Sequence, residues 1–196
     1  FLPALFGVFF IIIIYQLLLA LNLSRLGAFA GAFLVIFENA ILVESRFILV
    51  DIFLLTFGFS GIYTFLLFRK SEGRSKLLYF ILTGVLLGLA YSIKSTGISF
   101  LGLTLLFTLV SYFHDFEFKK FILAALGFII ISAAVYASIF PIHFALLGNS
   151  GPGDAYMSAA FQKTLISNKV SADNVERPLT YWGKFIGYDY VGEKDT

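Results

Sequence analysis

The chain has 196 residues, of which 59% are hydrophobic and 13% charged, and its net charge is +2. An ordinary soluble domain carries about twice that share of charge, and no Lys/Arg-rich tract provides the phosphate-tracking footprint of a nucleic-acid binder. Cysteine is absent, which removes disulfides, thiolate metal sites and cysteine nucleophiles.

The apolar runs are long and continuous, without the alternation of a membrane barrel. Every backbone group in a bilayer must be paired internally, so the expected fold is an all-α, multi-pass transmembrane helical bundle with about six spanning helices. The first helix is expected over about Leu2–Leu21, close to the roughly 20 residues a span needs. Phe1–Ala20 lacks the basic start and cleavage site of a signal peptide. Because the chain opens on Phe1 inside an apolar run, it reads as a fragment that has lost its start. After Asn22–Arg25, a second helix covers about Gly27–Phe37, continuing at most to Leu42. Its Gly27, Ala28, Ala30, Gly31 and Ala32 permit close helix approach.

Next comes E-N-A-I-L-V-E-S-R-F-I-L-V-D, Glu38–Asp51. Four ionisable residues stand here among Ile, Leu, Val and Phe. Such groups near a bilayer are costly and face a bundle interior, a cavity or the interface. A third helix follows over about Ile48–Phe68, then the polar loop Arg69–Lys76. A fourth covers about Leu77–Ile93 and stops at Lys94-Ser95-Thr96-Gly97. A fifth covers about Ile98–Phe113, and after His114–Lys120 a sixth covers about Phe121–Leu147. Residues 1–147 therefore read as the membrane domain and 148–196 as an extracytoplasmic loop. In that loop Gly148–Asp154 signals a turn, Ser158–Leu165 suits a short helix, and Tyr181–Phe185 suits the interface.

Alternate crossings put Arg25, Arg69, Lys70, Arg74, Lys76, Lys119 and Lys120 on one face. Only Arg46 and Lys94 fall in the short loops of the other. The positive-inside rule makes the first face cytoplasmic. Glu38–Asp51, the Lys94 turn and everything after Gly148 then share the opposite face.

Three stretches carry a resemblance. Glu38–Asp51 resembles the acidic-Asn-Ala-Leu and Ser-Arg-aromatic-Ile-Leu-Leu-Asp segment of protein O-mannosyltransferases. His143–Leu165, H-F-A-L-L-G-N-S-G-P-G-D-A-Y-M-S-A-A-F-Q-K-T-L, resembles that family's Gly-x-Gly-Asp and Phe-Gln-x-x-Leu motif after its seventh helix. Gly88–Gly97 resembles its Gly-x-x-x-Ser-x-Lys element, with Ser95-Thr96 where Trp-Val is usual. The resemblance runs from the family's second helix to just past its seventh.

It implies a GT-C-type glycosyltransferase. Such an enzyme moves mannose from a polyprenyl- or dolichyl-phosphate carrier to Ser or Thr hydroxyls of an acceptor protein on the extracytoplasmic face. No cofactor beyond the lipid-linked donor is implied, and a dimer is possible. The family's catalytic Asp-Glu pair is expected upstream of Phe1, so the catalytic base is assigned to no residue of this chain. Leu179–Gly187 resembles relatives that lack a β-trefoil MIR domain. That favours a prokaryotic plasma membrane; a eukaryotic member would sit in the endoplasmic reticulum.

An inverting sugar transfer needs a base for the incoming hydroxyl, cations or oriented donors for the phosphate leaving group and an apolar groove for the lipid. Arg46 is the first candidate for the phosphate, since a guanidinium forks onto phosphate oxygens. Its alternative is an ion pair with Glu38, Glu44 or Asp51. Lys94 is the second, against a lysine snorkelling to the interface. Glu38 and Asn39 either orient sugar hydroxyls or cap a helix. Asp51 is placed by resemblance at the cavity and pairs with a basic or hydroxyl group between helices. His143 is an acceptor-side candidate or an interfacial hydrogen-bonder. Gly151, Gly153, Asp154 and Gln162 form the acceptor-side motif, where Asp154 either caps a helix or meets the peptide. No close His/carboxylate cluster accompanies them, so no metal is assigned.

Three other readings share this topology: a polyprenyl-phosphate-sugar transferase acting on a lipid or glycan, a transporter of an anionic solute, and a non-catalytic homologue.

Overall fold

The computed structural model describes residues 2–46, 50–114, 118–146, 148–149 and 165. Among these, seven α-helices follow one another: α1 (Leu2–Ala20), α2 (Arg25–Ile36), α3 (Asn39–Arg46), α4 (Asp51–Lys70), α5 (Gly73–Ile93), α6 (Ile98–His114) and α7 (Phe118–Leu146). A 3₁₀ turn, Ser95–Gly97, joins α5 to α6. Four helices, α1, α4, α5 and α7, are long and apolar enough to cross a membrane. The chain divides into two compact units, Phe1–Ile139 and Phe140–Thr196. The expected loop elements after Ser150, including the Ser158–Leu165 helix, lie outside the described residues, Leu165 apart.

The elements follow the expected order, with an added helix. The second helix ends close to the expected Phe37, at Ile36, and does not take the extension toward Leu42; a separate short helix, α3, begins at Asn39. The backbone N–H groups of Phe37 and Glu38 turn back to the carbonyls of Leu34 and Val35, at 3.1 and 3.2 Å. These i→i−3 bonds tighten the last turn, and Glu38 then starts a new helix. With 12 residues, α2 is about 18 Å long, well short of the roughly 30 Å hydrocarbon core. Helix α6, with 17 residues, reaches about 25 Å. At the other end, α5 starts at Gly73 rather than Leu77, which draws Arg74 and Lys76 into its first turn.

Specific contacts give the directions. Thr56 Oγ1 donates to the Phe6 carbonyl at 3.3 Å, and Lys70 Nζ donates to the Ala20 carbonyl. Residues 6 and 20 of α1 thus meet residues 56 and 70 of α4, so these helices run parallel. Thr83 Oγ1 of α5 donates to Thr64 Oγ1 of α4 at 3.1 Å, and Phe80 meets Phe68, centroids 5.5 Å apart; α5 is therefore antiparallel to α4. Helix α7 runs parallel to α5: Phe128 packs on Phe80 at 4.7 Å, and Ser132 Oγ donates to the Gly84 carbonyl at 3.0 Å. Tyr136 stacks on Tyr91 at 4.4 Å.

Close packing explains the α5–α7 seam. Gly84 and Gly88 lie one turn apart on the α5 face against α7. A Cβ on Gly84 would sit 2.7 Å from Ile131, and one on Gly88 would sit 2.8 Å from the Ser132 carbonyl oxygen. Small residues at this spacing let two backbones approach, which matters in lipid because helix association there is driven by packing rather than by escape from water. Below the seam, Phe65, Phe68 and Phe128 form a buried cluster with Phe80 against it. On α2 the small residues do what the sequence suggested, with Ala28 and Ala32 buried one turn apart.

The bundle therefore has two distinct ends. The C-termini of α1 and α4 and the N-terminus of α5 share one end, with Arg69, Lys70, Arg74 and Lys76. The N-termini of α1 and α4 and the C-terminus of α5 share the other.

Candidate functional site

Three of the polar candidates lie along one stretch of chain. Glu38 precedes α3, and its Oε2 accepts from the Ile41 backbone N–H at 3.1 Å, so it is the N-cap of α3. A carboxylate there also suits the positive end of the helix dipole. Of the two readings of Glu38, the structure shows the cap; its side chain is exposed. Asn39 is the first residue of α3 and is also exposed. Arg46 is the last residue of α3; its side chain, like that of Glu44, lies outside the described residues. Helix α3 packs on α1 and touches the start of α4.

Asp51 opens α4, where a carboxylate again meets a helix N-terminus. Beside it Ile52 is fully buried, and Thr56 Oγ1 donates to the Ile52 carbonyl at 2.8 Å as well as to Phe6. The start of α4 is thus seated against α1. Lys94 ends α5 as its C-cap residue in extended backbone, φ −154° and ψ 139°. The 3₁₀ turn holds it there: Gly97 N–H donates to the Lys94 carbonyl at 2.8 Å. Gly97 must be glycine because any Cβ would press into the Ala90 carbonyl. Ser95 and Thr96 are exposed beside Lys94, and Ser99 Oγ closes the turn by donating to the Thr96 carbonyl at 2.8 Å.

These two elements bring Asp51 and Lys94 together. Lys94 Nζ and Asp51 Oδ1 are 2.8 Å apart, with side chains 47% and 31% exposed. The reading of Asp51 as a partner for a basic group between helices is realised, and that group is Lys94. At such exposure the pair adds about 0–1 kcal/mol to stability. Its geometric effect is larger, since it ties the end of α5 to the start of α4. Sequence reasoning named both residues but did not join them. They are 43 positions apart, and only the antiparallel packing of α4 on α5 closes that distance. Their shared membrane face was the available signal.

His143 lies in the last turn of α7 and is exposed; it belongs to the second unit. Gly151, Gly153, Asp154 and Gln162 lie outside the described residues. Among the described residues, no three His, Asp or Glu side chains cluster as a metal site would require.

Chemically, this end of the bundle offers a fixed ammonium, a carboxylate that holds it, two exposed hydroxyls on the adjoining turn and a helix that ends in arginine. That inventory suits an anionic headgroup presented from the bilayer.

Comparison with known proteins gives the lineage. Residues 1–148 match the family model described as dolichyl-phosphate-mannose-protein mannosyltransferase. The chain is 36% identical over 164 residues to dolichyl-phosphate-mannose--protein mannosyltransferase 3 of Saccharomyces cerevisiae, covering 77% of this chain and 22% of that protein. It is 35% identical over 178 residues to protein O-mannosyltransferase 1 of Drosophila melanogaster, covering 84% of this chain and 20% of that protein. Its fold matches the S. cerevisiae protein O-mannosyltransferase Pmt1-Pmt2 complex bound to the sugar donor, with TM-score 0.76 and 27% identity over 87% of this chain and 25% of that one. The chain thus spans about a fifth to a quarter of the length of these relatives. A family match over residues 1–148, together with relatives above 30% identity and an integral membrane helical fold, establishes that the chain belongs to the dolichyl-phosphate-mannose-protein mannosyltransferase family.

Proposed function

We propose that this chain forms the donor-binding part of a glycosyltransferase that moves mannose from a polyprenyl- or dolichyl-phosphate carrier to Ser or Thr hydroxyls of proteins on the extracytoplasmic face. One observation carries the reading: within a family match over residues 1–148, Asp51, the last residue of the polar segment Glu38–Asp51, pairs with Lys94 at the end of the bundle opposite Arg69, Lys70, Arg74 and Lys76.

In such a transfer the acceptor hydroxyl oxygen attacks the anomeric carbon and loses its proton to a base. The bond from that carbon to the phosphate oxygen breaks, and the phosphate leaves with the bonding electrons. Lys94 and Arg46 are the cations proposed to stabilise that developing charge. Arg46 stands at the C-terminus of α3, a few residues before Asp51 in the chain. Asn39 is proposed to meet sugar hydroxyls, and Glu38 to hold α3 in register through its cap. His143, Gly151, Gly153, Asp154 and Gln162 are proposed to serve the acceptor side, as their motif implies. The base is assigned to no residue of this chain.

One of the relatives' structures is a two-subunit complex bound to a sugar donor. A dimer with a second transferase subunit is proposed here on that likeness. The choice of a prokaryotic plasma membrane rests on the Leu179–Gly187 stretch, whereas the relatives named above come from yeast and fly.

The test is mannose transfer by the intact protein in native membranes, supplied with labelled dolichyl-phosphate-mannose and a Ser/Thr-containing acceptor protein. Arg46→Ala is expected to lower transfer by about 10²-fold, the range for a single group that stabilises transition-state charge. Transfer at the wild-type level would remove Arg46 from the site. Label appearing only in lipid or glycan would overturn the protein acceptor.

A further inference from the structure

Both partners of the ion pair rise from backbone with little freedom. Asp51 is anchored by the buried Ile52 beside it and by the Thr56 contact to α1. Lys94 is anchored by the 3₁₀ turn and by the tight fit of Gly97 on Ala90. Between these anchors, one flexible four-carbon side chain bridges two helices to a carboxylate 2.8 Å away.

From this arrangement we infer that Asp51 is a positioning residue for donor binding: its carboxylate holds the Lys94 ammonium beside the start of α4, where it meets the phosphate of the lipid-linked sugar. The inference rests on the functional reading above and deepens it. Three physical points support it. Exposed ion pairs contribute little to folding, so stability gives a weak reason for this one. Orientation gives a stronger reason, because a cation fixed before the substrate arrives spares the ordering cost on binding. An ammonium also has three donors, so Lys94 keeps Asp51 as a partner while it donates to a phosphate oxygen.

The experiment compares Asp51→Asn, Asp51→Glu, Lys94→Met and the Asp51→Asn/Lys94→Met double variant in the intact protein. Dolichyl-phosphate-mannose is the varied substrate, and thermal midpoints in detergent are measured in parallel. Asp51→Asn is expected to raise the donor KM by about tenfold, the lower range for loss of a group that orients a binding residue. kcat should fall less than KM rises, and the thermal midpoint should stay put. Asp51→Glu should recover most of the affinity, and Asp51→Asn should add nothing in the Lys94→Met background.

An unchanged donor KM in Asp51→Asn, alongside a raised one in Lys94→Met, overturns the positioning role and leaves the donor reading of Lys94 standing. An unchanged KM in Lys94→Met overturns both. A full Asp51→Asn effect that persists without Lys94 shows that Asp51 acts on something else, which also overturns the inference. So does a lowered thermal midpoint that Asp51→Glu does not rescue, since that is the signature of a structural pair.

Discussion

The α5–α7 seam and the end of the bundle where α4 begins and α5 stops solve opposite problems. At the seam, Gly84 and Gly88 bring backbones together, Ser132 spends its hydroxyl on the Gly84 carbonyl, and Phe80 and Phe128 fill the space below. Polar groups there are satisfied internally, as a lipid environment demands. Around the start of α4 the polar groups are exposed: Glu38 caps an eight-residue helix, and Lys94 reaches a half-open carboxylate. The seam is held by contacts that tolerate no added atom. The other end is held by the 3₁₀ turn and the Asp51–Lys94 pair, which leave the ammonium fixed and exposed. Close packing and exposed polar groups are thus divided along the length of α5.

The largest expected effect tests the rigid half. In Gly88→Val, the new Cβ meets the Ser132 carbonyl oxygen at 2.8 Å and the Val135 Cβ at 2.7 Å. The first obstacle is backbone, so no rotamer change relieves it and the two helices must separate. Overpacking of this kind costs about 1–3 kcal/mol, and the γ-methyls place this substitution at the upper end. A drop in thermal midpoint of the intact protein in detergent, read by fluorescence-detected size exclusion, checks it. A midpoint equal to wild type would mean that α5 and α7 are not in close contact at this level.

How much of this was legible in the sequence follows the same division. Helix order could be read, because hydropathy reports directly on a bilayer, and the structure gathers Arg69, Lys70, Arg74 and Lys76 at one end as the loop pattern implied. Family resemblance could be read from Glu38–Asp51, and the comparisons bear it out over residues 1–148. The end of the second helix near Phe37 could also be read, but the separate helix α3 that starts at once at Asn39 could not: the residues from Ala40 to Val43 look like either an extension or a loop, and only the backward turn of the Phe37 and Glu38 amides shows where one helix stops and the next begins. The Asp51–Lys94 pair was hidden for a different reason: periodicity is local information, and the pair depends on the register of α4 against α5. Gly84-x-x-x-Gly88 stood in plain view inside a predicted helix, but a small-residue spacing acquires meaning only when a partner helix is placed against it.

A middle-sized effect should separate stability from function at the polar end. Gly97→Ala presses a methyl against the Ala90 carbonyl and forces the 3₁₀ turn to open. The turn is short and borders solvent, so the cost should be about 1 kcal/mol, the low end for an overpacked site. Yet the same turn carries Lys94. The expected result is a small loss in thermal midpoint with a several-fold rise in donor KM, the inverse of the Gly88→Val profile. Equal losses in both measurements would mean that the turn is simply part of the core.

The smallest effect returns to the seam and asks what its hydrogen bond contributes. Ser132 is 2% exposed, and its hydroxyl donates to the Gly84 carbonyl on the neighbouring helix. That carbonyl belongs to an α-helix and already serves the regular backbone ladder, so losing the hydroxyl leaves no orphaned acceptor. Ser132→Ala also leaves almost no void. Interhelical side-chain hydrogen bonds in membranes average about 0.6 kcal/mol, and the thermal midpoint should fall by only that equivalent, with transfer activity intact. A loss several times larger would show that hydrogen bonding, rather than the fit of glycine against Ile131 and Val135, holds α5 to α7. The contrast between a packed half and a polar half would then have to be redrawn.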